Sequence, residues 1–331
     1  MFSLSSLLSY EPFVERCVDL FMRRLNELDG EEIDLGYWFQ CYAFDVIGCI
    51  TYGERFGMSC YVNLHTLILM VNAGFLDKGD DIEGAIMSVG SISEYSTLAG
   101  IYSEWHPLLY KISSYIGGSG SNGRNFVRQF AQDKIARHKE KKDVEVSQEP
   151  FMTKMIRAHR ENPDKVGDHH LFMMAQSNVI AGFDTTAISL SATIYLLMKN
   201  PRVLEKLRVE IDTATQSGIL EDAITFQQSQ GLPYLQATIK ESLRLHSAVG
   251  LPLWRVVPEG GFEADGAYFP KGAVVGTNSW VVHRDPGIFT NPNEFRPERW
   301  IDEDEDKLRI MNEVSMPVRP FFHILRFCID I

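Results

Sequence analysis

A mainly α-helical chain with a small β-sheet region is the fold class this sequence predicts, and three observations predict it. Apolar residues recur at helical spacing through most of residues 10–248. Residues 169–200 contain no proline and read as one long buried helix. From Gly250 the texture changes, with proline or glycine every few residues and short β-rich runs between them.

A chain of 331 residues with 45% hydrophobic composition can bury a sizeable core, as one large domain or two. Its net charge of −12 argues against a nucleic-acid partner, whose footprint would be a basic patch or stripe. Cys17, Cys41, Cys49, Cys60 and Cys328 form no Cys-x-x-Cys pair and follow no secretory leader, so they read as thiols of a reducing compartment. The opening MFSLSSLL is too short for a signal peptide and lacks its positive flank, and no membrane anchor is expected there.

Taken in order, residues 11–29 place Phe13, Val14, Cys17, Leu20, Phe21 and Leu28 at helical spacing, and Gly30 ends the helix. A second helix near residues 35–51 carries Trp38, Phe39, Tyr42, Val46 and Ile50, before turns at Tyr52-Gly53 and Phe56-Gly57. Residues 60–120 are weakly amphipathic and predict no defined element, and the glycine-rich residues 117–123 read as a loop. A helix over residues 124–139 carries Phe126, Val127, Phe130 and Ile135, and the charged run that follows reads as a solvated connection.

Asp168 is a suitable N-cap for the long helix, which at ~1.5 Å per residue spans roughly 45 Å. The rest of the fold is expected to pack around it. Its middle, Ala181-Gly182-Phe183-Asp184-Thr185-Thr186, interrupts an apolar run with a helix breaker, an acid and two hydroxyls. Gly182 costs about 1 kcal/mol against alanine in a helix interior, and Asp184 needs a partner or water if buried. A ligand against the helix is one candidate compensation. A transmembrane span would place Gln176, Ser177, Asn178 and Asp184 near mid-membrane, where charge is costly. A core helix whose hydroxyls bond back to carbonyls is the other plain alternative.

Pro201 opens the next helix, which runs through Val203, Leu204, Leu207 and Ile211 to Gly218, and Leu232-Pro233 opens another with Leu235, Ile239 and Leu243. Strands are expected at residues 253–257, 267–269 and 273–277, with Pro270-Lys271-Gly272 turning the last two into a hairpin. Residues 283–300 are proline-rich and aperiodic, and their aromatics favour an ordered loop.

Glu241 and Arg244 lie at i, i+3 on one helix face. Exposed, such a pair stabilises by well under ~1 kcal/mol; buried, losing one partner costs roughly 3–5 kcal/mol and a third charge is often needed. Arg299, in Pro297-Glu298-Arg299-Trp300, is the candidate third partner, with Trp300 packed over its guanidinium; a surface turn is the plain alternative.

These three motifs together, in this order and spacing, resemble the cytochrome P-450 haem-thiolate monooxygenases. Residues 42–57 and Asn278-x-Trp280-x-x-His283-Arg284-Asp285-Pro286 look like filamentous-fungal members of that family. The resemblance implies a cytochrome P-450-like fold in one incomplete domain over residues 1–331: helical bulk 10–248, a β-rich and irregular part 250–300, and a haem-loop tail 316–331. It implies haem (iron protoporphyrin IX) as cofactor, dioxygen, a small apolar organic substrate, and electrons from NADPH through a partner such as a cytochrome P-450 reductase. It also implies roles for individual residues. Ala181 and Gly182 would lie beside the haem, Asp184 would feed protons, and Thr185 would steady dioxygen. Arg255 and Arg326 would contact the haem and Cys328 would ligate its iron, while Glu241, Arg244 and Arg299 would form a structural network. Family members typically sit at the endoplasmic-reticulum membrane, although no anchor is found in this sequence.

The family's loop reads Phe-x-x-Gly-x-Arg-x-Cys-x-Gly. Aligning Cys328 puts Phe321 and Arg326 in register, but Ile324 and Asp330 stand where glycines allow tight turns. Residues 316–331 are therefore expected to reflect a frame slip or unspliced intron. No haem-facing Trp-x-x-x-Arg appears before Tyr10, so the chain is expected to be an interior fragment. The alternative function is a non-catalytic remnant that at most binds small molecules or proteins.

Overall fold

The computed structural model describes residues 4–64, 67–116, 119–140, 149–221 and 224–315. They group into two units, Met1–Ile188 and Ser189–Ile331, and the division falls inside one continuous helix. Helices dominate and the strands are short antiparallel pairs.

The first unit begins with α1 (Leu4–Leu8), α2 (Glu11–Glu27) and α3 (Leu35–Tyr52). Asp34 caps α3 by accepting the Tyr37 N–H at 3.1 Å, and Gly53 closes it in the left-handed region at φ 75°. The apolar face of α2 meets α3: the Phe21 ring lies 5.6 Å from Phe39 and 5.3 Å from Tyr42, and Cys17 Sγ lies 3.8 Å from Cys49 Sγ.

The described residues between 60 and 120 form more defined elements than expected. Strands β1 (Gly57–Leu64) and β2 (Leu67–Gly74) pair in register from Gly57↔Gly74 to Leu64↔Leu67. The short α4 (Phe75–Lys78) follows, and the buried Asp45 carboxylate accepts the Phe75 and Leu76 N–H groups at its start, both at 3.1 Å. Then come α5 (Ala85–Ile101), α6 (His106–Ile116), α7 (Ser119–Glu140) and α8 (Phe151–Glu161). Of the glycine-rich stretch expected as a loop, residues 119–123 are the first turns of α7. Glycine permits helical backbone, and adding residues to an existing helix gains a hydrogen bond per residue fixed. The polar-looking face of α7 is partly core: Lys134 donates to Glu54 at 2.9 Å, and the buried His138 ring Nε2 meets Tyr52 O at 2.8 Å.

Helix α9 (Asp168–Lys199) is long and apolar enough, by length and composition, to cross a membrane. In the first unit it buries the i, i+4 row Leu171, Ala175, Val179, Phe183 and Ala187. Asp168 does not precede the helix as a cap. It is the first helical residue, and its carboxylate accepts from Lys139 Nζ at 2.6 Å.

In the second unit, α10 (Pro201–Gln216), α11 (Phe226–Gln230) and α12 (Pro233–Leu245) follow, and proline starts both α10 and α12. Glu210 secures the start of α12, accepting the N–H groups of Tyr234 and Leu235, both at 2.8 Å. Leu197, Val203, Leu207, Leu245 and Phe295 form one core cluster and Ala237, Phe289, Trp300 and Met311 another.

The expected hairpin of residues 267–269 with 273–277 does not form. Strand β3 (Leu253–Val256) pairs with β6 (Val274–Thr277), and β4 (Phe262–Ala264) pairs with β5 (Ala267–Phe269). The turn that decides this is Asp265-Gly266, both at positive φ (50° and 72°), which matches a two-residue hairpin of the primed type. Pro270-Lys271-Gly272 instead carries the chain from one strand pair to the other. Helices α13 (Ser279–Val282), α14 (Arg299–Asp302) and α15 (Glu305–Val314) complete the described structure, and residues 283–298 contain no helix or strand.

Candidate functional site

Gln40, Phe44, Ile47 and Thr51 occupy one face of α3 at helical spacing, and α9 meets them in the reverse order with Asp184, Phe183, Gly182 and Asn178. The Gln40 side chain lies beside the Asp184 carboxyl. The Phe44 and Phe183 rings stack with centroids 4.1 Å apart. Asn178 Nδ2 donates to Thr51 Oγ1 at 3.5 Å. A Cβ on Gly182 would fall 2.8 Å from Cγ1 and Cδ1 of Ile47. The glycine that interrupts the helix therefore has a packing reason within the chain: it lets α3 approach.

Asp184 is half-buried, and burial pushes its carboxyl above the usual carboxylate range, while the polar Gln40 side chain beside it pulls it back. Thr185 Oγ1 donates to Ala181 O at 2.7 Å and Thr186 Oγ1 to Gly182 O at 2.8 Å. Both hydroxyls thus use the i−4 carbonyl bond that lets threonine sit in a helix. Ala181 is exposed and Thr185 half-exposed, one turn apart on the side of α9 opposite the buried row.

In the first unit, the exposed side of α9 suits the face of a haem ring. Ala181 and Thr185 present only small side chains on an open helix side, which suits the close approach of a flat ring. On β3, Arg255 is partly exposed, pairs in register with Val275, and donates from Nη1 to Trp254 O at 2.7 Å. Its guanidinium suits a propionate carboxylate. Arg326 and Cys328 lie outside the described residues. Among the described residues, no group of three or more His, Cys, Asp or Glu could hold a metal ion.

The structure brings Glu241, Arg244 and Arg299 together, all buried. Glu241 Oε1 accepts from Arg244 Nη2 at 2.8 Å, Arg299 Nε at 2.9 Å and the Arg296 N–H at 3.1 Å. Its Oε2 accepts from Arg244 Nε and Trp300 Nε1, both at 2.9 Å. The remaining guanidinium N–H groups turn to main-chain carbonyls: Arg244 donates to His283, Pro292 and Glu294, and Arg299 to Thr290, Asn291 and Glu294. The expected packing of Trp300 over a guanidinium is corrected by this geometry. Its indole N–H is a donor to the carboxylate, and the ring beneath the Arg244 guanidinium is Phe289, 5.0 Å away. Buried His283 completes the corner, with Nδ1 3.1 Å from Arg244 O.

Two participants were missed in the sequence. Gln40, beside Asp184, gives no signal of its own, because a neutral amide demands no partner until its neighbour is known. The Arg296 main-chain N–H carries no sequence signal at all.

The family model described as Cytochrome P450 matches residues 1–321. The chain is 33% identical over 321 residues to the cytochrome P450 monooxygenase cicH of Emericella nidulans, covering 95% of this chain and 60% of that protein. It is 34% identical over 312 residues to a pisatin demethylase of Fusarium vanettenii, covering 91% and 56%. It is 34% identical over 336 residues to the cytochrome P450 monooxygenase gsfF of Penicillium aethiopicum, covering 95% and 61%. The chain thus spans about 60% of the length of the curated relatives it matches.

Proposed function

Because the chain belongs to the cytochrome P450 family, we propose that it serves a haem-dependent monooxygenase that inserts one oxygen atom of dioxygen into a small apolar organic substrate. Electrons come from NADPH through a reductase such as a cytochrome P-450 reductase. The observation that carries this reading is the open side of α9 at Ala181 and Thr185, with half-buried Asp184 beside them and α3 backing the helix. The pisatin demethylase name of one relative supports a small organic molecule as substrate.

The haem, when bound, supplies the centre at which dioxygen is reduced and split. Cys328 would hold it as the thiolate, and Arg255 and Arg326 would contact it as cationic donors. Ala181 keeps side-chain bulk off the helix where the ring approaches, whereas Gly182, expected on that side, faces Ile47 of α3. Asp184, with its carboxyl raised by burial, retains a proton closer to neutral pH than a solvated aspartate does. Thr185 rests with its hydroxyl donated to Ala181 O. Rotating that bond outward turns the hydroxyl into a donor towards substrate-side oxygen, and Asp184 is the neighbouring acid that resupplies the proton. The buried Glu241, Arg244 and Arg299 hold the irregular residues 283–298 in one conformation.

The test is to express the chain, supply haem, reduce it and add carbon monoxide. A thiolate-type Soret shift is the expected result, lost in Cys328→Ser; no such shift in the parent chain overturns the reading. Asp184→Asn and Thr185→Ala should keep the shift and lower substrate turnover by about 10²-fold.

A further inference from the structure

We propose that Cys17 and Cys49 are a redox-sensitive pair: hydrogen peroxide oxidises them to a disulfide that staples α2 to α3, and a dithiol reductant reopens it. The inference concerns these two helices alone and does not rest on the haem chemistry proposed above.

Packing brings the two thiols together. The Phe21 ring of α2 meets Phe39 and Tyr42 of α3, and one turn back along α2 Cys17 meets Cys49, further along α3. The helices therefore run in opposite directions with the two sulfurs in the seam between them. Both residues are buried and both are free thiols. Their Sγ atoms lie 3.8 Å apart although the residues are 32 positions apart in the chain. A disulfide bond is about 2.05 Å long, so closing the gap takes a shift of roughly 1.8 Å, which small side-chain rotations in two packed helices can supply. The helix so stapled is the one whose Phe44 and Ile47 back α9.

The two sulfurs are not equivalent. Cys17 donates its S–H to Cys49 Sγ, which draws the Cys49 thiol below its usual range against the opposing effect of burial, while Cys17 is pushed up by the same contact and by burial. Cys49 is therefore the first to react. Its sulfur attacks one oxygen of hydrogen peroxide; an S–O bond forms, the O–O bond breaks, and the departing hydroxide takes the thiol proton as water. The Cys17 sulfur then displaces the hydroxyl of the Cys49 sulfenic acid, and its own proton leaves with that hydroxyl as a second water. The thiols lose two electrons and the peroxide gains them. Cys41, the third cysteine whose side chain is described, is fully buried, and burial pushes its thiol up to about 12, so it is the poorer nucleophile.

The experiment exposes the reduced full chain to hydrogen peroxide, blocks the remaining thiols with N-ethylmaleimide in urea and maps disulfides by peptide mass spectrometry. A linked Cys17–Cys49 peptide, two hydrogens lighter than its free halves, should dominate over every other pairing, and dithiothreitol should reverse it. The same oxidation carried out in urea should lose that preference, because the fold supplies the proximity. The oxidised chain should melt roughly 3–6 °C above the reduced one, since the bridge closes a long loop in the unfolded chain. Cys41→Ser should keep that rise. Cys17→Ser should abolish it and leave Cys49 as a sulfenic acid that dimedone traps. A folded chain that yields no linked peptide, whether its thiols stay reduced or oxidise singly, overturns the inference, and so does a bridge that forms equally well in urea. The parent chain alone decides between these outcomes, so a variant that fails to fold does not rescue the proposal.

Discussion

Replacing Glu241 with glutamine tests the buried network at its centre. The substitution keeps size and shape, removes the one negative charge between Arg244 and Arg299, and turns one acceptor oxygen into an NH₂ donor. In the parent chain Oε1 takes three N–H groups and Oε2 takes two. Whichever way the amide is turned, at least two donors then face a donor, at about 1–3 kcal/mol each. Two guanidinium groups are also left buried without a counter-charge, and breaking such a pair costs roughly 3–5 kcal/mol. These descriptions overlap, so the expected loss is about 3–5 kcal/mol, or a fall in Tm of roughly 4–7 °C for a chain of this length. Urea unfolding followed by circular dichroism measures it. The control is Glu259→Gln, which breaks the 2.9 Å pair with Lys271 on the surface and should change stability by less than ~0.5 kcal/mol. A Glu241→Gln chain within about 1 kcal/mol of the parent would refute the reasoning, because a network that can lose its carboxylate so cheaply is not held by it.

Three further outcomes follow from single contacts. Burial pushes the Asp45 carboxyl up to about 7, so between its ordinary range and that value the folded chain keeps a proton the unfolded chain has released; stability should fall as pH rises through this window, and Asp45→Asn should flatten the fall, as read from urea midpoints at acid and neutral pH. Gly182→Ala gains about 1 kcal/mol in helix propensity but sets a Cβ 2.8 Å from Ile47, an overpacking cost of about 1–3 kcal/mol, so it should destabilise the parent and stabilise an Ile47→Ala background in a double-mutant cycle. Gly266→Ala places a side chain at φ 72° in the β4–β5 turn and should cost about 1–2 kcal/mol there, visible as faster hydrogen exchange of the β5 amides.

Helices were legible in the sequence wherever punctuation bounded them. Pro201 and Pro233 mark two starts, Gly30 and Gly53 mark two ends, and the structure places α10, α12, α2 and α3 accordingly. Strand pairing was less legible, because Pro270-Lys271-Gly272 and Asp265-Gly266 are both turn signals and the strands beside them are only three or four residues long. Length and alternation could not decide between them; backbone twist does, since positive φ at both central residues matches paired strands. The β1–β2 pair was not legible because its strands carry no clean alternation and no glycine or proline separates them in the sequence. In the candidate site, the charged members were visible because burying a charge demands a partner at a readable distance. Gln40 was not, because a neutral amide makes no such demand until its neighbour is known.

The network around Glu241 also explains how residues 283–298 hold a fixed shape without helix or strand. A segment of that kind leaves main-chain carbonyls without partners, and buried carbonyls must be hydrogen-bonded. Arg244 and Arg299 supply those bonds to the carbonyls of His283, Thr290, Asn291, Pro292 and Glu294, while Glu241 neutralises the charge that comes with them. The guanidinium is chosen for its fork: Arg244 directs N–H groups at two carboxylate oxygens and three carbonyls at once, which an ammonium with three donors cannot match. Arg244→Lys therefore keeps the charge and loses the geometry. It should destabilise by about 2–4 kcal/mol, with the amides next to the freed carbonyls of Pro292 and Glu294 the first to lose exchange protection. Urea unfolding gives the loss, and hydrogen exchange across residues 283–298 locates it. A lysine variant as stable as the parent would show that charge alone, and not the donor fork, orders this segment.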